Sequence, residues 1–315
     1  MSRYVVHEEG GQVTGHLSQF LAVTLLSSML VVQKSLLSTW SPRIVVTVQF
    51  SVAAIVGWLC LLLFTGLPSR SLPFGKAILF GIIAPGGTVT LSTLGAAQTD
   101  AVSMVVIWGL APLVAPLAGR LFLGEKVRLS AYTGALIGFA LVIWLVNSRQ
   151  VSAEGSLTGN LLVLAAILCS TISQVLGRVI NRGSRYPSLS IAVLQLSGAA
   201  ITGVSATVIA TLIGVVSVRG AEMTPSIAMQ FVYIIVPGTF ITFWLYNVAL
   251  SHLPVAFLSL YITLVPAFGS ILAAVFLGAE LSWSEVLAVA GIVAAVALPS
   301  IDRIRGSRAP MLSAK

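Results

Sequence analysis

Six side chains sit in strongly apolar surroundings and carry chemistry that lipid cannot satisfy: Lys34, Trp108, Gln174, Tyr246, Asn247 and Thr263. Their chemistry is recognition rather than bond-making. An ammonium at Lys34 can hold a substrate carboxylate or a carbonyl of a partner helix. The competing reading is a side chain about one turn from its helix end, snorkelling to the interface. The amides of Gln174 and Asn247, the phenol of Tyr246 and the indole of Trp108 need polar partners, which favours a cavity. Thr263 belongs to a stripe with Ser259, Pro266 and Ser270 at helical spacing, and similar stripes run through Thr239, Thr242 and Tyr246 and through Ser170, Ser173, Gln174 and Gly177. Such stripes line a cavity or let helices approach closely. Arg178, close to the end of its apolar run, reads as a snorkelling residue.

Catalytic constellations are missing. The chain has no HExxH, no GxSxG and no P-loop, and His7, His16 and His252 are far apart. Cys60 and Cys169 both lie inside apolar runs, which indicates neither a disulfide framework nor a thiolate metal site. No enzyme activity, cofactor or metal is expected. Asp and Glu are absent from the apolar runs apart from Glu285 near one end, so no buried carboxylate relay is visible.

The elements that must position these residues follow from composition. Of 315 residues 57% are hydrophobic and 8% charged, and the mean hydropathy is +1.03. A water-facing surface needs about 25% charge; a lipid-facing one does not. The apolar runs are about 20 residues long without strict alternation, which predicts membrane helices rather than a barrel. Ten spans are predicted: Leu17–Leu37, Ile44–Thr65, Phe74–Ala97, Ala101–Leu123, Leu129–Val146, Leu157–Ile180, Leu189–Val216, Ile227–Leu250, Val255–Leu277 and Ser282–Ile301. Residues 1–16 form an N-terminal arm and 302–315 a polar tail. The N-terminal region, with Glu8 and Glu9, does not resemble a secretory signal.

The net charge of +8 reads as topology rather than as a nucleic-acid surface. With the N-terminus cytoplasmic, only Lys34, Arg43, Arg149 and Arg219 of the 17 Lys and Arg fall on the far side, leaving thirteen inside. Both termini are therefore expected to be cytoplasmic. The chain also repeats itself. Ala84-Pro85-Gly86 is echoed by Val236-Pro237-Gly238, Thr90 by Thr242, Ala97 by Ala249, Pro112 by Pro266, and Phe122-Leu123-Gly124-Glu125 by Phe276-Leu277-Gly278-Ala279-Glu280. Five spans per half, residues 17–148 and 157–301, make the second half upside down relative to the first. Pro85-Gly86-Gly87 and Pro237-Gly238 interrupt corresponding helices, as static kinks or as hinges. Gly134-Ala135-Leu136-Ile137-Gly138 reads as a close-packing face or a homodimer face.

At these residues the chain resembles the drug/metabolite transporter superfamily, specifically its EamA-type transporters. The resemblance rests on Gly95-Ala96-Ala97-Gln98-Thr99 leading to Pro112 and Phe122-Leu123-Gly124-Glu125, on Phe243-Trp244-Leu245-Tyr246-Asn247-Val248-Ala249-Leu250 leading to Pro266 and Phe276-Leu277-Gly278, and on Lys34. It departs where the family usually offers an Arg near the start of the second span and this chain has Gln49-Phe50, and where Ala279 precedes Glu280. The resemblance implies an all-α integral membrane fold of ten helices in two inverted five-helix repeats, a central cavity, and transport without ATP hydrolysis. The expected partners are the lipid bilayer and a small polar metabolite such as an amino acid, exported through a bacterial inner membrane. The cavity is expected between the halves, lined by the first, third, fourth, sixth, eighth and ninth spans. The rival classes are a membrane-embedded enzyme acting on lipid-like substrates, which requires a polar catalytic cluster at one interface, and a non-transporting scaffold with a collapsed centre.

Overall fold

The computed structural model describes residues 2–69, 71–96, 98–99, 107–108, 110–126, 129–147, 156–182, 186–214, 222–277 and 283–308. Within these residues every regular element is helical. Ten successive rods emerge: α1 (Ser2–Leu36), α2 (Pro42–Cys60, continued by a π-helical Leu61–Thr65), α3 (Phe74–Gly81, π-helical Ile82–Gly87, then Thr88–Ala96), α4 (Ala111–Leu123) and α5 (Leu129–Asn147). The second half repeats the pattern with α6 (Leu157–Asn181), α7 (Ser188–Leu212), α8 (Pro225–Ile235, π-helical Val236–Ile241, then Thr242–His252), α9 (Val255–Ile262 and Leu264–Leu277) and α10 (Trp283–Arg308).

Six of these rods are long and apolar enough to cross a bilayer: Gly11–Leu36, Pro42–Thr65, Phe74–Gly95, Leu157–Asn181, Ser188–Leu212 and Pro225–His252. The apolar stretches of α4, α5, α9 and α10 are shorter, at 10–17 residues. The chain is thus an all-α multi-pass membrane protein, with α1 reaching back to Ser2 and α10 running on to Arg308. Much of the predicted start of the fourth span, 100–106 and 109, lies outside the described residues, as do Ala97, Arg149, Arg219 and the 278–282 counterpart of the α4 end.

Local signals set the helix ends. Pro42 and Pro225 occupy first turns, where no backbone N–H is required. Ser156 accepts the Gly159 N–H at 3.0 Å, and Thr224 accepts that of Ile227 at 3.3 Å. Gly124 closes α4 at φ +63°, the left-handed conformation that reverses the chain and lets the Glu125 N–H donate to Gly119 O.

Consecutive rods alternate in direction, as their connections show. At one end, which we call the basic end, His252 and Leu253 lie against Gly11 and Gly15, and Tyr186 Oη donates to Ser71 O. Arg120, Lys126, Arg178 and Arg182 share this end. At the opposite end Ser156 donates through both N and Oγ to Gln98 O, and Trp40 meets Phe231 edge-on at 5.4 Å. Five alternating rods per half give an inverted pair, and burial follows the repeat closely. Gly15, Gln19, Ala22, Val23, Ser27, Met29 and Leu36 of α1 are all buried, and so are Gly159, Val163, Ala166, Ile167, Thr171, Ser173 and Ile180 of α6.

The halves are interlocked rather than side by side. α2 packs on α7, α1 on α8, α3 on both α6 and α7, and α5 on α10. Phe50, Val193 and Phe240 anchor one core; Leu260, Ala135 and Ile292 a second; Phe80, Leu194 and Leu250 a third. Leu63, Phe64, Leu121 and Leu212 stay exposed, as a lipid-facing shell requires. The α3–α7 crossing depends on glycine: a Cβ on Gly81 would overlap Gln195 O, and one on Gly198 would overlap Ile78 O.

Candidate functional site at the broken helices

The two proline-bearing interruptions expected from sequence are both present, at matched places in α3 and α8. Proline cannot donate to the preceding turn, so carbonyls are freed in the middle of the protein and must find other donors. In α3, Ala84 adopts an extended backbone (φ −150°, ψ 132°) within the helix. Its carbonyl accepts from Gln195 Nε2 at 3.2 Å and Ser173 Oγ at 3.3 Å. In α8, Thr239 Oγ1 donates to Ile234 O at 2.7 Å and Thr242 Oγ1 to Pro237 O at 2.9 Å. Gln49 Nε2 then donates to Thr239 Oγ1 at 2.6 Å, while Gln49 Oε1 accepts from Gln33 at 3.2 Å.

These bonds follow the inverted symmetry. Gln49 on α2 of the first repeat reaches the break in α8 of the second. Gln195 on α7 of the second repeat reaches the break in α3 of the first. Sequence reasoning passed over both glutamines, although a signal was there. Gln49, Ser51, Ala53, Ala54, Ile55 and Gly57 recur in the same spacing as Gln195, Ser197, Ala199, Ala200, Ile201 and Gly203. Each amide is almost completely buried, at 3% and 1% exposed.

A cross-repeat bridge closes the basic end. Glu125, just past the end of α4, pairs with Arg178 of α6 at 3.2 Å (Oε1 to Nε), and its second oxygen accepts the Val255 N–H at 3.0 Å. Arg178 Nη1 donates to Leu250 O at 2.6 Å. One carboxylate therefore satisfies the first N–H of α9, and one guanidinium satisfies a last carbonyl of α8, each in the orientation the helix dipole favours. Both side chains are only slightly exposed, at 13% and 11%. Arg178 is thus no snorkelling residue.

The six predicted recognition residues fall into two groups. Gln174 is buried, one turn along α6 from Arg178; among the described residues its Oε1 has no hydrogen-bond partner and its Nε2 reaches only Ser170 Oγ, at 3.5 Å. Tyr246 is half-buried on α8, its ring 6.4 Å from Phe243, and Trp108 is half-buried ahead of α4. The hydroxyl of Tyr246 has no hydrogen-bond partner among the described residues. The other three are placed elsewhere. Asn247 is fully buried, and its amide is consumed by Asn181 (2.9 Å), Gln195 (2.7 Å) and Phe243 O (2.8 Å). Thr263 donates to Leu260 O at the break in α9 and faces Gly138 of α5. Lys34 is exposed at the end of α1, with no polar partner among the described residues.

Other sequence expectations resolve with these. Pro112 and Pro266, matched in the repeat, each occupy the first turn of a helical segment, where no backbone N–H is required. Gly134, Ala135 and Gly138 are buried within the chain, while Leu136 and Ile137 are exposed. No cluster of metal-binding side chains occurs among the described residues.

Comparison with known proteins agrees with this architecture. One solved structure, whose description reads "Crystal structure of protein", superposes with a TM-score of 0.78 over 93% of this chain and 99% of that chain, at 20% identity. At that identity the likeness establishes a shared fold. No curated protein matches the chain. The family model of the EamA-like transporter family matches twice, at residues 13–147 and 157–301. The chain belongs to the EamA-like transporter family, membrane proteins that carry small molecules.

Proposed function

We propose that this protein is a secondary transporter that exports, or facilitates the passage of, a small polar metabolite of the amino-acid class by alternating access. The membrane is proposed to be a bacterial inner membrane, with both termini cytoplasmic as the charge distribution requires. The observation that supports this most is unequal packing of two like halves. At the basic end α6 packs on α8; the symmetry-related pair, α1 and α3, forms no comparable interface among the described residues. Two halves of one design caught in different arrangements are what exchange between inward and outward openings demands.

Substrate recognition falls to Gln174, Tyr246 and Trp108, which retain unsatisfied polar atoms or half-exposed rings. A buried amide oxygen without a partner costs about 1–3 kcal/mol, a penalty that a substrate ammonium or hydroxyl would remove. Asn247 and Thr263, whose polar atoms are engaged by protein groups, are assigned packing roles in this proposal, and Lys34 a role other than substrate recognition. The test is counterflow into proteoliposomes with a panel of amino acids, purines and organic cations. Saturable flux of at least one neutral or zwitterionic compound, reduced by Gln174→Ala and Tyr246→Ala, is expected. Flux no greater than in empty vesicles across the panel would defeat the reading.

A further inference from the structure

The Glu125–Arg178 bridge has a symmetry-related position that the fold leaves idle. The burial match between α1 and α6 fixes the register. Gly15 stands for Gly159, Met29 for Ser173 and Leu36 for Ile180, and in that register Lys34 stands for Arg178. The surroundings agree. Gly15 packs on residues 252–253 at the end of α8, and Gly159 packs on 98–99 at the end of α3. Met29 lies at the α8 break beside Gly238, and Ser173 at the α3 break beside Ala84. Both repeats therefore carry a cation near the end of their first helix, at the end of the bundle where the third helix of the same repeat also ends. Arg178 is engaged there, on Leu250 O and Glu125. Lys34 is exposed, and α1 makes no comparable interface with α3.

We propose that Arg178 and Lys34 are alternately engaged latches: Arg178 holds the basic end shut in the conformation described here, and Lys34 holds the opposite end shut in the other by closing α1 onto the last turn of α3. The inference rests on the alternating-access reading above and adds the residues that set its equilibrium. Physically, an inverted repeat can have two states of similar energy only if each state's stabilising contacts have a counterpart in the other. A charge-assisted bond to a helix C-terminus is such a contact, and either cation can supply it. The proposal also explains why a lysine stands near the end of an apolar helix with no polar partner among the described residues.

The two latches make opposite predictions. Neutralising Glu125 weakens only the present state. Neutralising Lys34, which has no polar partner among the described residues in the present state, weakens only the other. The full chain carrying Cys60→Ala, Cys169→Ala and Ser251→Cys would be placed in nanodiscs, where both faces are open, and reacted with a membrane-impermeant maleimide. Ser251 is buried at the basic end of α8, so its labelling rate reports opening there. Glu125→Gln should raise the rate about tenfold, the loss of one charge-assisted bond. Lys34→Gln should lower it several-fold below the parent, and the double variant should fall between. Lys34→Gln that leaves the rate unchanged or raises it overturns the proposal, and this arm remains decisive even where Glu125→Gln does not fold. Arg178→Lys, which keeps a cation, should stay near the parent rate; a rate as high as that of Glu125→Gln would count against an electrostatic latch. The readout requires no substrate, so an empty flux panel with the opposite-sign pattern intact would refute the assigned substrate class while leaving the latches standing.

Discussion

Replacing Asn247 by alanine separates a packing role from a binding role at one residue. Asn247 is fully buried, and its amide joins three helices: α6 through Asn181, α7 through Gln195, and its own preceding turn through Phe243 O. Each interhelical bond in a membrane protein is worth about 0.6 kcal/mol, and up to about 1.7 kcal/mol. Truncation also strands two neighbouring amides in a dry interior, where an unpaired polar group costs about 1–3 kcal/mol. Part of that cost is recovered, because Gln195 still donates to Ala84 O and Asn181 to Gly177 O. The net expectation is a loss of about 2–4 kcal/mol, roughly 30- to 1,000-fold in the folded-to-unfolded ratio. Equilibrium unfolding in mixed micelles measures it, with a double-mutant cycle against Gln195→Ala expected to show coupling of about 0.5–1.7 kcal/mol. At a temperature where the variant stays folded, flux per folded molecule should keep the parent's apparent affinity for substrate. Unchanged stability combined with at least tenfold weaker substrate affinity would refute the packing assignment and return Asn247 to the binding site.

Further expectations concern positions with clear structural controls. Gln174→Leu should weaken substrate affinity yet raise thermal stability slightly, because it removes an unpartnered buried oxygen; paired flux and melting measurements check both signs. Gly81→Ala should destabilise by about 1–3 kcal/mol through overpacking against Gln195 O, whereas Gly75→Ala, with open space around it, should be tolerated. Single cysteines at Lys126 and Arg182 should be labelled from one face of the membrane and a cysteine at Arg43 from the other, and the charge bias makes the first face cytoplasmic; Lys126 and Arg43 labelled from the same face would break the topology.

What the sequence made legible was whatever is written in period or punctuation. Span positions follow from apolar runs, and the repeat follows in part from Pro85 and Pro237 standing at matched places; both breaks are present. The side chains that complete those breaks were harder to read. A glutamine in an apolar run signals only that it needs a partner; nothing in its spacing says that the partner is a carbonyl released by a proline on another helix. Gln49 and Gln195 do carry a signal of their own, since their flanking residues repeat in the same order in the second and seventh spans. Asn247 is ambiguous for the same reason: a large polar side chain in lipid must be satisfied, and here Asn181, Gln195 and Phe243 O satisfy it.

The basic end was illegible for a different reason, and it bears on how such a protein works. Glu125 lies outside any span and Arg178 near the end of one, so each alone looks like an ordinary interfacial charge. Their value comes from meeting, and from meeting while a loop N–H and a helix carbonyl are within reach. Glu125, Arg178 and the 250–255 segment that supplies the other two groups are all far apart in sequence. A pairing of this kind belongs to one conformation, and a sequence that encodes two conformations cannot display the contacts of either as a local pattern. What it can display is the duplicate position, because both copies must be present in the chain even though only one is engaged at a time. Lys34 is that duplicate. Its exposure without a polar partner among the described residues, read from sequence as either a cavity ligand or a snorkelling side chain, has a third explanation under the proposed alternation: a contact that belongs to the other conformation.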